Sequence, residues 1–270
     1  MLKISVIIPT YKPDYYIWEC LNSIFSQSLD RENYEVLIIL NGDKEPFFTE
    51  IESYLKNNNL NNFYLIYTQE KGVSNARNIG LDRAKGNYIC FVDDDFLDKN
   101  YLEEMLRVIL KYGNDGIVIS NSLNFDEKTG LEKYRTNYIL GSKEKNLLKM
   151  RNFFSNACGK LIPTGVITNM RFNRKLKNGE DTLFIVELSK NIKYIAVSEK
   201  EIYYNRRLRA DSANHKKKKN LYILSNTFLR ILSCSKLLFK KSYNRIFILL
   251  SIITLMKGMI IQFLNNKGKV

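Results

Sequence analysis

Apolar residues in the first hundred positions fall into short β-rich runs separated by stretches of helical spacing. Ser5-Val-Ile-Ile-Pro-Thr-Tyr11 and Glu35-Val-Leu-Ile-Ile-Leu-Asn-Gly-Asp43 have strand length and end in polar turn residues. Trp18 to Phe25 and Thr49 to Lys56 read as helices between and after them. Ala76, Ile79, Gly80, Leu81 and Ala84 recur at helical spacing, with Ser74 or Asn75 placed to cap the start. Gly86-Asn87 supplies a turn, and Tyr88-Ile-Cys-Phe-Val92 is a buried strand. Leu102 to Lys111 continues as a helix and Gly116 to Ser120 as a short strand. This alternation is the βαβ signature of an α/β fold. From about 124 to 160 the pattern loosens and assigns no element. Thr182 to Lys190 is helical again, and two long apolar helical stretches, 221–239 and 246–264, close the chain. The expected organisation is one α/β body over 1–215, with a regularly alternating half at 1–100 and a looser half at 101–215. A basic, apolar helical tail over 216–270 completes it.

Composition narrows the picture. A chain of 270 residues with 45% hydrophobic content can bury one sizeable core. Cys20, Cys90, Cys158 and Cys234 are scattered, which reads as reduced structural thiols and not as a disulfide framework or zinc site. His215 is the only histidine, so a Ser-His-Asp or multi-histidine mechanism is excluded. Met1 to Pro9 reads as the first strand, and no secretion signal is expected.

The net charge of +14 is unevenly placed. Residues 216–270 hold 12 Lys and Arg and no Asp or Glu, leaving 30 basic against 28 acidic residues in the remainder. A nucleic-acid surface would spread basic residues over the folded body among stacking aromatics, so no nucleic-acid partner is expected. Lys216-Lys-Lys-Lys219, Lys240-Lys241 and Arg245 beside apolar helices suit an interfacial helix on anionic lipid. Ile246 to Met256 is an 11-residue run before Lys257, short for a span of about 20 residues. Peripheral contact is therefore expected; packing of the tail on the body or a partner is the first alternative, and a true span, with Lys257 at its centre, the second.

Asp93-Asp94-Asp95 ends the Tyr88–Val92 strand, where residues two apart share a face. Two carboxylates on one face repel unless a cation or proton relieves them, and oxygen ligands suit Mg²⁺ or Mn²⁺. Strand C-terminal ends are where open α/β sheets bind ligands. The plainer reading is a solvated acidic turn. Gly179-Glu180-Asp181 opens the 182–190 helix, where acidic residues also serve simply as dipole partners. Tyr203-Tyr-Asn-Arg-Arg-Leu-Arg-Ala-Asp-Ser-Ala-Asn-His215 is either a phosphate clamp or a basic surface loop leading into the tail.

Together these segments resemble family 2 glycosyltransferases, which have the GT-A fold, a Rossmann-like mixed sheet flanked by helices. The resemblance covers about 1–100 in order and extends through the Glu180-Asp181 and Tyr/Arg stretches. It implies that Pro9, Thr10 and Tyr11 lie against the nucleotide, that Arg77 approaches it, and that Asp93 and Asp95 form the DxD motif. Asp94 joins the nucleotide-binding set and Asp95 the metal. Where the family commonly has an acidic pair after its second strand, this chain has Leu40-Asn41, so the base contact passes to Asn41. Phe96 stands where a further Asp is frequent. Asp181 is implied as the general base, with Glu180 orienting the loop or binding the acceptor. Arg206, Arg207 and Arg209 are implied to clamp the diphosphate. His215 either completes the metal shell or is a plain surface histidine.

The expected function is an inverting, metal-dependent (Mn²⁺ or Mg²⁺) glycosyltransferase that uses a nucleotide sugar, UDP-linked by expectation. The expected acceptor is a hydroxyl of a surface glycan or polyprenyl-linked saccharide. The expected location is cytoplasmic, on the inner face of the plasma membrane. A Mg²⁺-dependent nucleotidyl or phosphoryl transferase is the alternative enzyme, although no GxxxxGK[ST] loop is present. A dehalogenase-like phosphatase would carry Thr where Leu97 stands. A non-catalytic nucleotide-binding module at the membrane is the remaining alternative.

Overall fold

The computed structural model describes residues 3–208 and 220–267, with side chains described as far as 264. The chain alternates β1 (Ile4–Thr10), α1 (Tyr16–Phe25), β2 (Tyr34–Asn41), α2 (Phe47–Asn57), β3 (Phe63–Thr68), α3 (Val73–Arg83) and β4 (Tyr88–Phe91). Then come β5 (Phe96–Leu97), α4 (Tyr101–Tyr112), β6 (Ile117–Ile119), β7 (Asn121–Asp126), β8 (Glu132–Arg135) and β9 (Lys143–Glu144). β10 (Lys160–Pro163), α5 (Thr164–Ile167), α6 (Glu180–Leu188), β11 (Ile195–Val197) and β12 (Tyr203–Leu208) complete the body. Two long helices follow, α7 (Asn220–Leu238) and α8 (Arg245–Lys267).

An eight-stranded mixed sheet has the order β3-β2-β1-β4-β10-β6-β11-β9, and a four-stranded sheet the order β5-β12-β7-β8. β3, β2, β1 and β4 are parallel, and β10 pairs antiparallel with β4 and β6. Strand parity divides the core into two layers. Ile4, Val6, Ile8, Val36, Ile38 and Cys90 pack with α1 and α4 on one face. Ile7, Leu37, Ile39, Ile89 and Phe91 pack with α6 on the other. α3 joins this second layer through Ala76, and Gly80 brings it close to β1. A Cβ at Gly80 would stand 2.4 Å from Ile7 Cγ2.

Helix α3 begins at Gly72 (φ 137°), so Ser74 and Asn75, expected as caps, lie inside its first turn and are buried. The stretch 124–160, unassigned from sequence, holds the second half of β7, then β8, β9 and a 3₁₀ turn at Arg151–Ser155. Its elements are short, and every residue of β8 is exposed, so neither a period-2 nor a period-3.6 apolar pattern develops.

The tail helices pack on each other and against α6. Asn226 Nδ2 donates to Asn178 O (2.9 Å), Tyr243 Oη donates to Glu187 O (3.0 Å), and Phe154 meets Phe247 edge-on at 4.7 Å. Their outer faces are bare: Leu224, Phe228, Leu232, Leu249, Ile253, Met256 and Ile260 are exposed. Helix α8 continues through Lys257 and Gly258, so the apolar helical stretch is longer than the 11-residue run suggested. Arg245–Leu264 is long and apolar enough to cross a membrane by length and composition, with mean hydropathy 2.1.

Candidate active site

Parity carries the first carboxylate of the Asp93–Asp95 run to the α3–α6 layer. Ile89 and Phe91 face the α3–α6 side, and Asp93 follows them there, just beyond the end of β4. Arg77, on the buried face of α3, meets it. Arg77 is 3% exposed, and its Nη2 donates to both Asp93 oxygens at 2.8 and 3.1 Å. Its Nη1 donates to Glu180 Oε1 at 3.2 Å. One guanidinium thus ties the two acidic motifs together across 103 residues of sequence. Burial opposes its charge, but the negative charges of Asp93, Asp181 and Glu180 outweigh that and raise its pKa. Its Nε is buried without a partner.

Asp95 lies in the turn between β4 and β5. Its Oδ1 accepts the Arg207 backbone N–H at 2.9 Å. Burial pushes its carboxyl up to about 7, the Arg207 N–H works against this, and the charges of Asp93 and Asp94 add to it. Among the described residues no three His, Cys, Asp or Glu side chains gather as a metal site. Asp93 and Asp95 both line the cleft and are hard oxygen donors, so they fit Mg²⁺ or Mn²⁺ if substrate phosphates supply further ligands. The strained ionisation of Asp95 beside two like charges is the feature a divalent cation would relieve.

Glu180 and Asp181 occupy the first turn of α6, which Gly179 opens in the left-handed conformation (φ 72°). Glu180 is buried; burial and Asp181 raise its pKa, and Arg77 lowers it. Asp181 is half-buried, lines the cleft, and accepts the N–H of Thr182 at 2.7 Å. The two carboxylates therefore face different partners. Glu180 is held by Arg77, and Asp181 is presented to the cavity.

Strand β12 alternates its two arginines. Arg206 enters the cleft, where burial opposes its charge and Asp95 raises its pKa. Arg207 points away among Tyr15, Phe96 and Phe125 and bonds Glu19, so its side chain braces the fold and only its backbone serves the site. Tyr204, between Asn205 and Tyr203, accepts the Asp93 backbone N–H at 3.3 Å. Arg209 and His215 lie outside the described residues.

Pro9, Thr10 and Tyr11 sit at the end of β1, beside the cleft and not in its walls. Tyr11 is exposed, with Lys71 5.7 Å from its ring centroid. Gly42 allows this approach, since a Cβ there would stand 2.8 Å from the ring. Asn41 is buried; its Nδ2 donates to Thr10 O at 2.6 Å, and its Oδ1 accepts the Gly72 N–H at 2.9 Å. That side chain ties two loops together with one N–H and one lone pair, and its second N–H and second lone pair remain.

The cleft encloses about 540 Å³. Sequence reasoning missed one cation of its wall, Lys160, and one beside it, Arg230. Lys160, 4% exposed at the start of β10, donates to Asn156 Oδ1 (2.9 Å) and Cys158 O (3.0 Å). Burial brings its pKa down to about 8, against the pull of Cys158 and Asp181. Arg230 of α7 lies over Gly179, where a Cβ would stand 2.3 Å from its Cζ. The only sequence signal for Lys160 was a brief Leu161-Ile162 run behind it. Arg230 had none, because only the fold brings the tail to α6.

A mixed GT-A sheet with acidic turns at its strand ends defines a nucleotide-sugar transferase architecture. Residues 5–173 match Glycosyl transferase family 2, and the chain belongs to that family. It is 31% identical to glycosyltransferase GlyA of Streptococcus pneumoniae over 77% of this chain and 30% of that one. It is 28% identical to poly(ribitol-phosphate) beta-N-acetylglucosaminyltransferase TarS of Staphylococcus aureus over 76% of this chain and 35% of that one. The chain spans about a third of the length of these two relatives. The crystal structure of S. aureus TarS 1-349 in complex with UDP-GlcNAc shares the fold, with TM-score 0.78 and 23% identity over 94% of this chain and 72% of that one.

Proposed function

We propose that this protein is an inverting, metal-dependent glycosyltransferase that moves a sugar from a UDP-sugar to a hydroxyl of a surface-glycan or lipid-linked saccharide acceptor. The observation that carries this reading is the single cavity faced by Asp93 and Asp95 on one side and Asp181 on another, with Arg77 fixing their separation. A lone presented base suits single displacement, whereas a retaining hydrolase needs two carboxylates flanking one glycosidic bond. The relatives' names, and the UDP-GlcNAc held by the similar TarS structure, support a UDP-sugar donor and a cell-surface polymer as acceptor.

In the proposed step Asp181 takes the proton of the acceptor hydroxyl as that oxygen bonds the anomeric carbon. The bond from this carbon to the phosphate oxygen breaks on the opposite face, and its electron pair leaves with UDP. Asp93 and Asp95 would hold the divalent ion, which supplies positive charge to the leaving diphosphate. Arg206 adds a fixed guanidinium on the same side, and Arg77 keeps Glu180 from competing as base. Through the bare apolar faces of α7 and α8 and their lysines, the enzyme would sit on the cytoplasmic face of the membrane.

Asp181→Asn tests the assignment. A positioned base contributes ~10²–10⁴-fold, so transfer should fall by that factor while UDP affinity, measured by calorimetry with Mn²⁺, stays within about twofold. Near wild-type turnover in the Asn variant would reduce Asp181 to a helix-start carboxylate.

A further inference from the structure

A second cavity of about 530 Å³ lies between α6, α7, α8 and the 3₁₀ turn, and it adjoins the catalytic cleft. Asn152, Ser155 and Asn178 line both. Its walls are unlike those of the cleft. Leu183, Val186, Phe247, Leu255 and Met259 make it largely apolar, and among the described residues its only charged lining side chains are Arg151 and Arg230.

The two arginines differ. Arg151 is engaged: its Nη2 donates to Thr254 Oγ1 (2.8 Å) and Leu250 O (3.2 Å), clamping α8 to the body. Arg230 is half-buried over Gly179 and makes no hydrogen bond or ion pair among the described residues. Burial lowers its pKa, with Asp181 and Glu180 opposing. A guanidinium in an apolar wall, with its fork unspent, matches a phosphate. The helices that form the cavity also present bare apolar residues on their outer sides, as an element lying on hydrocarbon would.

We propose that this cavity holds the lipid end of the acceptor, a hydrocarbon chain bearing a head phosphate, with the phosphate on Arg230 and the chain between α7 and α8. The proposal rests on the transferase reading above and specifies its acceptor. Phosphate at Arg230 sets the attached saccharide past Asn178 into the cleft, toward Asp181. A phosphate-rich polymer without lipid would gain nothing from Phe247, Leu255 and Met259, so the apolar wall favours the lipid.

The test uses the full chain and farnesyl phosphate, with farnesol and inorganic phosphate as separate arms, followed by calorimetry. Gly258 lines the cavity, and a Cβ there meets nothing within 4 Å. Gly258→Phe therefore fills the space without backbone strain. The expected result is that farnesyl phosphate binds more tightly than either arm alone, and that Gly258→Phe and Arg230→Gln each weaken it at least tenfold. UDP affinity with Mn²⁺ should change less than twofold in Gly258→Phe. Equal farnesyl phosphate affinity in wild type and both variants would overturn the site. Inorganic phosphate binding as tightly as farnesyl phosphate would overturn the lipid. Failure of the transferase reading appears separately, as absent UDP binding in the wild type.

Discussion

Arg77→Met removes the cation between the two acidic motifs while keeping most of the side chain's volume. The arginine is 3% exposed, and Glu180 beside it is 10% exposed, but Asp93 is 37% exposed and partly screened. Removing one partner of a buried pair costs ~3–5 kcal/mol, and screening at Asp93 places this case near ~3. For a domain of this size each kcal/mol moves Tm by about 2–4 °C, so a fall of ~6–12 °C is expected. The loss should depend on pH. Burial and Asp181 already raise Glu180 above the ordinary carboxylate range despite Arg77. Its folded state binds the proton more tightly than the unfolded chain, so its stabilisation is present at low pH and lost as pH rises through the folded pKa. Without Arg77 the folded pKa climbs further, and the deficit against wild type should widen between pH 5 and pH 8. Differential scanning calorimetry at both pH values measures this. A Tm unchanged within ~1 °C at pH 8, or a deficit larger at pH 5, would refute the bridging role.

Two further outcomes follow from the same geometry. Asp95 is pushed up to about 7, so a divalent ion must displace its proton at low pH. The Tm gain on adding Mn²⁺ should be larger at pH 8 than at pH 5, and Asp95→Ala should abolish it; an equal gain in the variant would remove Asp95 from the metal site. Leu249→Glu with Ile253→Glu changes only exposed positions of α8, so Tm should hold while co-sedimentation with anionic liposomes falls. Attraction through the lysines should also weaken at 1 M salt, where the Debye length is ~3 Å. Undiminished sedimentation of the double variant would end the membrane assignment.

What was legible in the sequence depended on run length and on parity. β1, β2 and β4 are buried on both faces, so Ile-Ile-Pro-Thr, Leu-Ile-Ile-Leu and Ile-Cys-Phe-Val announced themselves as strands. The same parity put Asp93 on the layer of Phe91 and so opposite Arg77. Parity failed two residues later, because β4 ends at Phe91 and the chain turns before Asp95. The second sheet left no comparable trace. β7 alternates only partly, β8 is wholly exposed, and β12 is spelled with polar residues whose partners lie elsewhere. Asn41 shows the limit for single residues: the sequence placed it at a strand end, but its bonds to Thr10 and Gly72, which join two loops, left no trace in the pattern.

The tail changes the most between sequence and structure. Its charge and apolar runs spoke only of a surface, and nothing local tied it to chemistry. Folded, its inner face supplies Cys234, Leu237, Phe247 and Ile248 to the same core layer as β1 and α6. Arg230 presses on the glycine from which Glu180 and Asp181 start. Any side chain at position 179 would have to push that guanidinium aside and also adopt φ 72°. The geometry of the presented carboxylate therefore depends on how α7 is seated. A tail displaced from the body would loosen Gly179, tilt the first turn of α6, and move Asp181 relative to the carboxylates that Arg77 anchors. Since the outer face of the same two helices is the bare apolar one, whatever surface holds that face also steadies Asp181.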